Sequence, residues 1–214
     1  MAKLSVVATP IGNLEDITLR ALRVLKEVDV VACEDTRQTR KLLAHFDIHT
    51  PTSTLAHTLR LLAQGKHVAL VSDAGTPGIS DPGLEIVARA REQGAEVETI
   101  PGASALTAAV AIAGLKAPSF MFYGFLPLKK GRESLFKEIA KNARASVFYE
   151  SPHRVCKTLS ALAMHAPTRN IGLFRELTKL HEEALIGTPA ELLQILEANP
   201  QKVRGEFVIV VESL

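Results

Sequence analysis

Residues 67–83 read His-Val-Ala-Leu-Val-Ser-Asp-Ala-Gly-Thr-Pro-Gly-Ile-Ser-Asp-Pro-Gly, and they decide the fold. The run 67–72 is apolar without alternation, which marks a strand buried on both faces of a parallel sheet. Asp81 and Pro82 carry the signature of a helix start, a capping residue followed by proline, so residues 83–93 are expected to be helical. Between strand and helix lies a turn of Gly, Pro and small polar residues, longer than most strand-to-helix connections. Strand, long loop and helix in that order form the unit of an open α/β sheet, in which ligands bind beyond the carboxyl ends of the strands.

The same rhythm extends in both directions. Upstream, 4–8 and 28–33 read as strands and 18–28 as a helix, with Leu22, Leu25 and Val28 spaced three apart along one face. A second helix is expected over Thr36–His45. Downstream, 96–100 is a strand and 104–113 an Ala-rich helix. Gly and Pro interrupt the pattern at 114–118, after which it restarts. Strands are expected at 119–124, 145–150, 170–176, 183–186 and 205–212, with helices at 132–142 and from Ser151-Pro152 to about Met164. Thr188-Pro189-Ala190-Glu191 combines an N-cap, a proline and a capping-box glutamate, and opens a helix over 191–198. The fold class is therefore α/β, with two α/β lobes at 1–115 and 119–214 and a mainly parallel sheet in the first. One place breaks the rhythm: Thr36–His45 is followed by a second helical stretch, 54–64, with only polar residues 47–53 between them. No strand is expected there.

Composition bounds the function. The 214 residues are 47% hydrophobic and 22% charged, which excludes a disordered chain. The longest apolar runs, such as 106–115, are far short of the roughly 20 residues of a membrane span, and a secretory leader is not evident. Two cysteines, Cys33 and Cys156, make no disulfide framework, so a cytoplasmic location is expected. A net charge of +2 does not by itself mark a nucleic-acid binder, although it leaves room for a local basic face.

Four loops have the glycine and small residues that let backbone approach a ligand. They are 9–13 (Thr-Pro-Ile-Gly-Asn), 72–83, 101–105 (Pro-Gly-Ala-Ser-Ala) and 123–127 (Tyr-Gly-Phe-Leu-Pro). Neither the dinucleotide fingerprint nor a P-loop is present. Charged clusters follow three strands: Glu34-Asp35-Thr36-Arg37, Glu150-Ser151-Pro152-His153-Arg154 and Arg175-Glu176-Leu177-Thr178-Lys179. Each alone would serve as a cap or surface ion pair. Three at strand ends point to a polar cleft. His45, His49 and His57 have no Cys or carboxylate at ligand spacing, so no metal is expected.

Residues 7–14, Glu34-Asp35-Thr36-Arg37, 70–83, 148–154 and 175–179 together resemble the bacterial ribosomal small-subunit methyltransferase I family. Its members share the two-lobed fold of the tetrapyrrole (precorrin) methylases. The resemblance implies S-adenosylmethionine bound between the lobes and 2′-O-methylation of a cytidine ribose in the decoding region of small-subunit (16S) ribosomal RNA. It further implies a homodimer acting on the small ribosomal subunit, with no membrane involved. By that similarity Pro10 and Gly12 line the entrance to the cofactor site. Ser72, Asp73, Ala74, Gly75, Thr76, Ile79 and Ser80 hold the ribose and amino-acid end. Gly102, Ala103 and Ser104 cover the methionine portion, and Tyr149, Arg175 and Glu206 close over adenine.

Methyl transfer is an in-line displacement, so orientation supplies most of the acceleration. A general base adds about 10²–10⁴-fold, because a ribose hydroxyl is protonated at neutral pH. Glu34, Glu150 and Glu176 are the candidates, while Arg37 and Lys179 suit phosphate contacts or polarisation of the hydroxyl. The alternative of the same fold is a precorrin C-methyltransferase, for which the charged clusters at 34–37 and 175–179 are less suited than for a polyanion. A module that binds cofactor or RNA without catalysis would not need paired carboxylates beside the loops. The family pattern also places a strand and a His- and Asn-containing loop at the break in rhythm. Its absence implies a segment of roughly ten residues missing after Pro51, part of a lid over the site.

Overall fold

The computed structural model describes residues 2–116 and 118–214, and they fall into two units, one ending at Ser104 and the other beginning at Ala105. In the first, strands β1 (Lys3–Val7), β2 (Val30–Cys33), β3 (Thr52–Thr54), β4 (His67–Leu70) and β5 (Glu96–Ile100) form one sheet. The order is β3-β2-β4-β1-β5 and every pairing is parallel. Helices α1 (Leu19–Glu27), α2 (Thr36–His45), α3 (Thr58–Ala63) and α4 (Gly83–Glu92) cover it.

Side-chain alternation along the strands divides the core in two. Val7, Val31, Cys33, Ala69 and Val71 pack with Ala21, Val24 and Leu25 of α1 and Leu43 of α2. Leu4, Ala32, Val68 and Leu70 pack on the opposite face with Leu62 of α3 and Ala90 of α4. The apolar run at 67–71 is thus buried on both faces, as expected of a central parallel strand.

The expectation of no strand between α2 and α3 is corrected by β3. Three residues suffice because β3 is an edge strand held by β2 alone: the Val31 N–H donates to the Pro51 carbonyl, and Val31, Ala32 and Cys33 pair with Thr52, Ser53 and Thr54. An edge strand with one exposed face needs no apolar run. Nothing in the sheet therefore calls for a lost core strand.

In the second unit the strands are β6 (Phe120–Phe125), β7 (Ala145–Glu150), β8 (Ile171–Arg175), β9 (Glu183–Gly187) and β10 (Phe207–Val211). The sheet order is β6-β7-β10-β8-β9, parallel between β6 and β7 and antiparallel elsewhere. Helix α5 (Ala105–Ile112) packs on β10 and β7, so it groups with this sheet although the break in sequence follows it. That break, at 114–118, includes Ala117, which lies outside the described residues. Helices α6 (Arg132–Lys141), α7 (Val155–His165) and α8 (Pro189–Ala198) complete the unit around a core of Phe136, Phe148, Leu159, Leu162, Leu192 and Ile209. The capping box of α8 forms as expected: Thr188 Oγ1 accepts from the Glu191 N–H, and Glu191 Oε2 accepts from the Thr188 N–H at 2.8 Å.

Candidate functional site

The connections that leave the neighbouring parallel strands β2 and β4 run in opposite directions across the sheet. From β2 the chain runs outward through α2 to the edge strand β3; from β4 it runs the other way, past β1, through α4 to β5. Diverging connections open a crevice beyond the carboxyl ends of such strands. The loops that follow β1, β2, β4 and β5 all lie at that end of the sheet.

Backbone and short hydroxyl side chains stitch these loops together. The Thr9 N–H donates to the Gly75 carbonyl at 2.9 Å, and the Gly75 N–H returns to the Thr9 carbonyl at 3.1 Å. Ser72 Oγ donates to the Ala74 carbonyl at 3.2 Å, and Thr76 Oγ1 to the Ala103 carbonyl at 3.0 Å. The Asp35 N–H donates to Asp73 Oδ1 at 3.1 Å, joining the β2 and β4 loops. Asp81 accepts from the Gly78 and Gly83 N–H groups at 2.9 and 2.7 Å and closes the far half of the long loop, where Ser80 is held at φ +70°. The expected cap at Asp81 with Pro82 as the first helical residue is corrected: Pro82 is the N-cap of α4, and Asp81, one position before it, braces the loop through the Gly78 and Gly83 N–H groups.

Gly75 is a glycine for the loop's own sake. Its φ is +79°, and a Cβ there would sit 3.2 Å from Ile11 Cγ2. A larger residue would disturb the Thr9–Gly75 bridge before it met any ligand. Gly102 is similarly close, 3.0 Å from Ala8 Cβ. Residues 9–13, 72–81 and 102–104, named separately from sequence, are thus one surface, with Gly12, Asp73 and Ala74 exposed on it.

Three carboxylates selected as candidate bases stand in different surroundings. Glu34 is exposed and its carboxylate has no ion pair or hydrogen bond among the described residues. Partial burial, then the negative charges of Asp73 and Asp81, push its pKa up. Its neighbour Asp35 caps α2 and grips Arg37 with both oxygens, at 3.1 Å from Nε and 2.9 Å from Nη2; these bonds draw it down to about 2.

Glu150 is wholly buried at the end of β7. It accepts from Arg154 Nε at 2.6 Å, the Ser151 N–H at 2.8 Å, Thr158 Oγ1 at 2.6 Å and Arg132 Nη2 at 3.3 Å. Burial alone would raise its pKa, but the bonds from Arg154, Thr158 and Ser151 outweigh it and hold the carboxyl ionised. Every lone pair is in use. Arg132 and Thr158 come from other elements, and nothing in the local sequence around Glu150 announces them.

Glu176 lies past β8 in the left-handed region, φ +51°. Its Oε1 accepts from Lys179 Nζ at 2.8 Å and from the Glu206 N–H at 2.9 Å, while Lys179 also reaches Glu206 Oε2 at 2.9 Å. Burial is again outweighed, by Lys179 and the Glu206 N–H, and the Glu176 pKa is lowered. Sequence reasoning groups Glu176 with Lys179 and gives Glu206 a separate role; the structure ties all three into one ion-paired cluster. Arg175 pairs with Glu183 at 3.3 Å, and the Tyr149 ring packs edge-on to Phe122 and Phe125 at 5.1 and 5.5 Å. Arg37 and Lys179, the cations assigned to phosphate, are both engaged by carboxylates.

Residues 3–193 match the family model of the tetrapyrrole (corrin/porphyrin) methylases. Over 99% of this chain and 95% of that one, the fold superposes on cobalt precorrin-4 methyltransferase with a TM-score of 0.72 at 19% identity. Uroporphyrin-III-C-methyltransferase from Thermus thermophilus gives 0.68 at 22%, over 99% and 94% of the two chains. At such identity the likeness is one of fold, and the class it defines is that of the tetrapyrrole methylases. Closer in sequence is the ribosomal RNA small subunit methyltransferase I of Thermotoga maritima, 44% identical over 100% of this chain and 99% of that one. The Bacillus subtilis protein of the same description is 45% identical over 100% of this chain and 76% of its own. The chain belongs to the tetrapyrrole methylases and, among them, to the ribosomal RNA small subunit methyltransferase I family. The Thermotoga alignment extends over 222 positions against 214 residues here, so part of that relative has no counterpart in this chain.

Proposed function

We propose that this chain transfers a methyl group from S-adenosylmethionine to the 2′-hydroxyl of a cytidine ribose in small-subunit ribosomal RNA. The carrying observation is identity of 44% over the whole chain and 99% of a relative described as a ribosomal RNA small subunit methyltransferase. The precorrin alternative rests on neighbours at 19–22% identity, which share only the fold.

The loop surface of the first unit suits such a donor. S-adenosylmethionine carries a net positive charge, and this surface bears Glu34, Asp73 and Asp81; burial first, then the charges of Asp73 and Asp81, raise the Glu34 pKa. It is lined by backbone groups and small residues rather than phosphate-gripping lysines. Residues 72–80 and 102–104 hold the donor, with Pro10 and Gly12 beside them. S-adenosylmethionine supplies a methyl group on a sulfonium, open to in-line attack.

Among the three carboxylates we assign the general base to Glu34. A base needs an available lone pair and a pKa moved towards neutrality, and Glu34 has both. With the donor bound, Glu34 would take the 2′-hydroxyl proton while the ribose oxygen bonds to the methyl carbon, the methyl–sulfur bond breaks and S-adenosylhomocysteine leaves. Glu150 is saturated by its partners, and Glu176, with Oε1 held by Lys179 and the Glu206 N–H, has its pKa moved down, away from neutrality, so both are assigned to holding structure in place. The enzyme works as a cytoplasmic homodimer in this reading; among the described residues no helix is long and apolar enough to cross a membrane.

The test is transfer of tritiated methyl from S-adenosylmethionine to small subunits from a strain lacking the modification, beside free RNA and a precorrin. Label on the 2′-oxygen of one cytidine is expected. Label on the precorrin alone would overturn the assignment. Light scattering at micromolar concentration should give twice the chain mass; a monomer would contradict the dimer.

A further inference from the structure

The buried Glu150 centre holds more than itself. Arg154 Nη2 also donates to the Leu126 carbonyl at 2.8 Å, and Arg132 Nη1 to the Pro127 carbonyl at 3.1 Å. Both carbonyls belong to the turn between β6 and α6, Leu126-Pro127-Leu128-Lys129-Lys130-Gly131. The turn is therefore pinned at its base by two arginines that one carboxylate fixes. Pointing these carbonyls at the arginines commits their dipoles inward and removes negative ends from the outer surface.

Beyond the pinned base the turn stands in solvent. Lys129 and Lys130 are exposed, and neither forms an ion pair among the described residues. That separates them from Arg37, Lys179, Arg132 and Arg154, each of which faces a carboxylate. The turn ends at Gly131 (φ +81°), the N-cap of α6, and the acidic residue of the helix's first turn, Glu133, is paired with Lys137 rather than with either lysine of the turn. A rigid base and two adjacent unneutralised lysines make a surface that fits a polyanion backbone.

We infer that the turn 128–131 is a docking surface for the phosphodiester backbone of the RNA substrate, held in position by the Glu150–Arg132–Arg154 centre. The inference rests on the methyl-transfer reading above and adds the place where the RNA is gripped. Phosphate contacts set position without reading sequence, so these lysines orient the substrate while the cytidine is chosen elsewhere. The charge cluster after β7 thus serves RNA binding through structure.

The test measures binding of the full-length chain to radiolabelled small subunits and, separately, to a single-stranded ribo-oligonucleotide, from low to moderate salt. Lys129→Ala/Lys130→Ala should weaken both by about tenfold near 0.1 M salt and reduce the slope of log K against log salt by about 1.5, the loss of two phosphate contacts. Lys26→Ala/Arg91→Ala, with the same change in net charge on the first unit, should bind as the wild type does. An unchanged thermal midpoint for the loop variant excludes misfolding. Wild-type affinity and slope in the loop variant would overturn the inference while leaving methyl transfer standing. Equal weakening by both double variants would reduce the effect to net charge and also overturn it. Loss on subunits with unchanged oligonucleotide binding would assign the turn to a ribosomal protein instead. A wild-type chain that neither methylates nor binds the RNA would remove the parent reading and this one together.

Discussion

The carboxyl ends of the two sheets are built by different means. In the first unit, loops after β1, β4 and β5 are tied by backbone bonds such as Thr9–Gly75 and by Thr76 to Ala103, so Glu34 is left without a partner. In the second, the strand ends are tied by side-chain ion pairs: Glu150 with two arginines, Glu176 with Lys179. A glutamate just past a strand looks the same in both places when only the sequence is read. Backbone stitching leaves side chains available for chemistry, whereas ionic stitching consumes them.

The sharpest way to break this contrast is to remove Glu150. Glu150→Ala leaves Arg132 and Arg154 uncompensated in the interior, and the loss of stability should be about 3–5 kcal/mol in denaturant titration. A loss below 1 kcal/mol would mean the centre is not structural. Next comes Glu34→Gln, which should lower methyl transfer about 10²-fold while the melting midpoint and cofactor affinity stay near wild type. If Glu34→Gln unfolds the chain, the division between the two regions fails.

Gly205→Ala tests the other ionic turn. Gly205 sits at φ +83°, and a Cβ would land inside van der Waals contact with the Glu176 carboxyl group. The expected cost is about 1–3 kcal/mol, readable in thermal unfolding. The smallest effect concerns Asp35, whose folded pKa of about 2 lies below its usual 3.8. Its cap on α2 is complete above the usual value and is lost as pH falls from there through about 2. Amide exchange in the first turn of α2 should accelerate in that window; no change would show that the Arg37 clasp does not persist in solution.

Much of the fold was legible because its signals are local. The burial of 67–71, the capping box at Thr188 and the span Thr36–His45 depend on residues within a turn or two. β3 escaped because its three polar residues owe their extended form to hydrogen bonds with β2, about twenty positions upstream in the chain. Site residues were legible as types at strand ends, through the ligand rule for open sheets. Their roles were not: Glu150 is set by Arg132 and Thr158, and Glu176 by Glu206, contacts that no spacing encodes. The need for Gly75 likewise came from Ile11 rather than from a ligand.

The pH dependence of methyl transfer to small subunits tests the assignment of Glu34 most directly. A general base works ionised, so kcat/KM should rise with pH through an apparent pKa above the ordinary glutamate value of 4.5, the direction in which burial, Asp73 and Asp81 displace Glu34. In Glu34→Gln that acid limb should vanish and the remaining rate should be flat and about 10²-fold lower. Persistence of the same limb at the wild-type rate in Glu34→Gln would contradict the account and return the chemistry to the second unit.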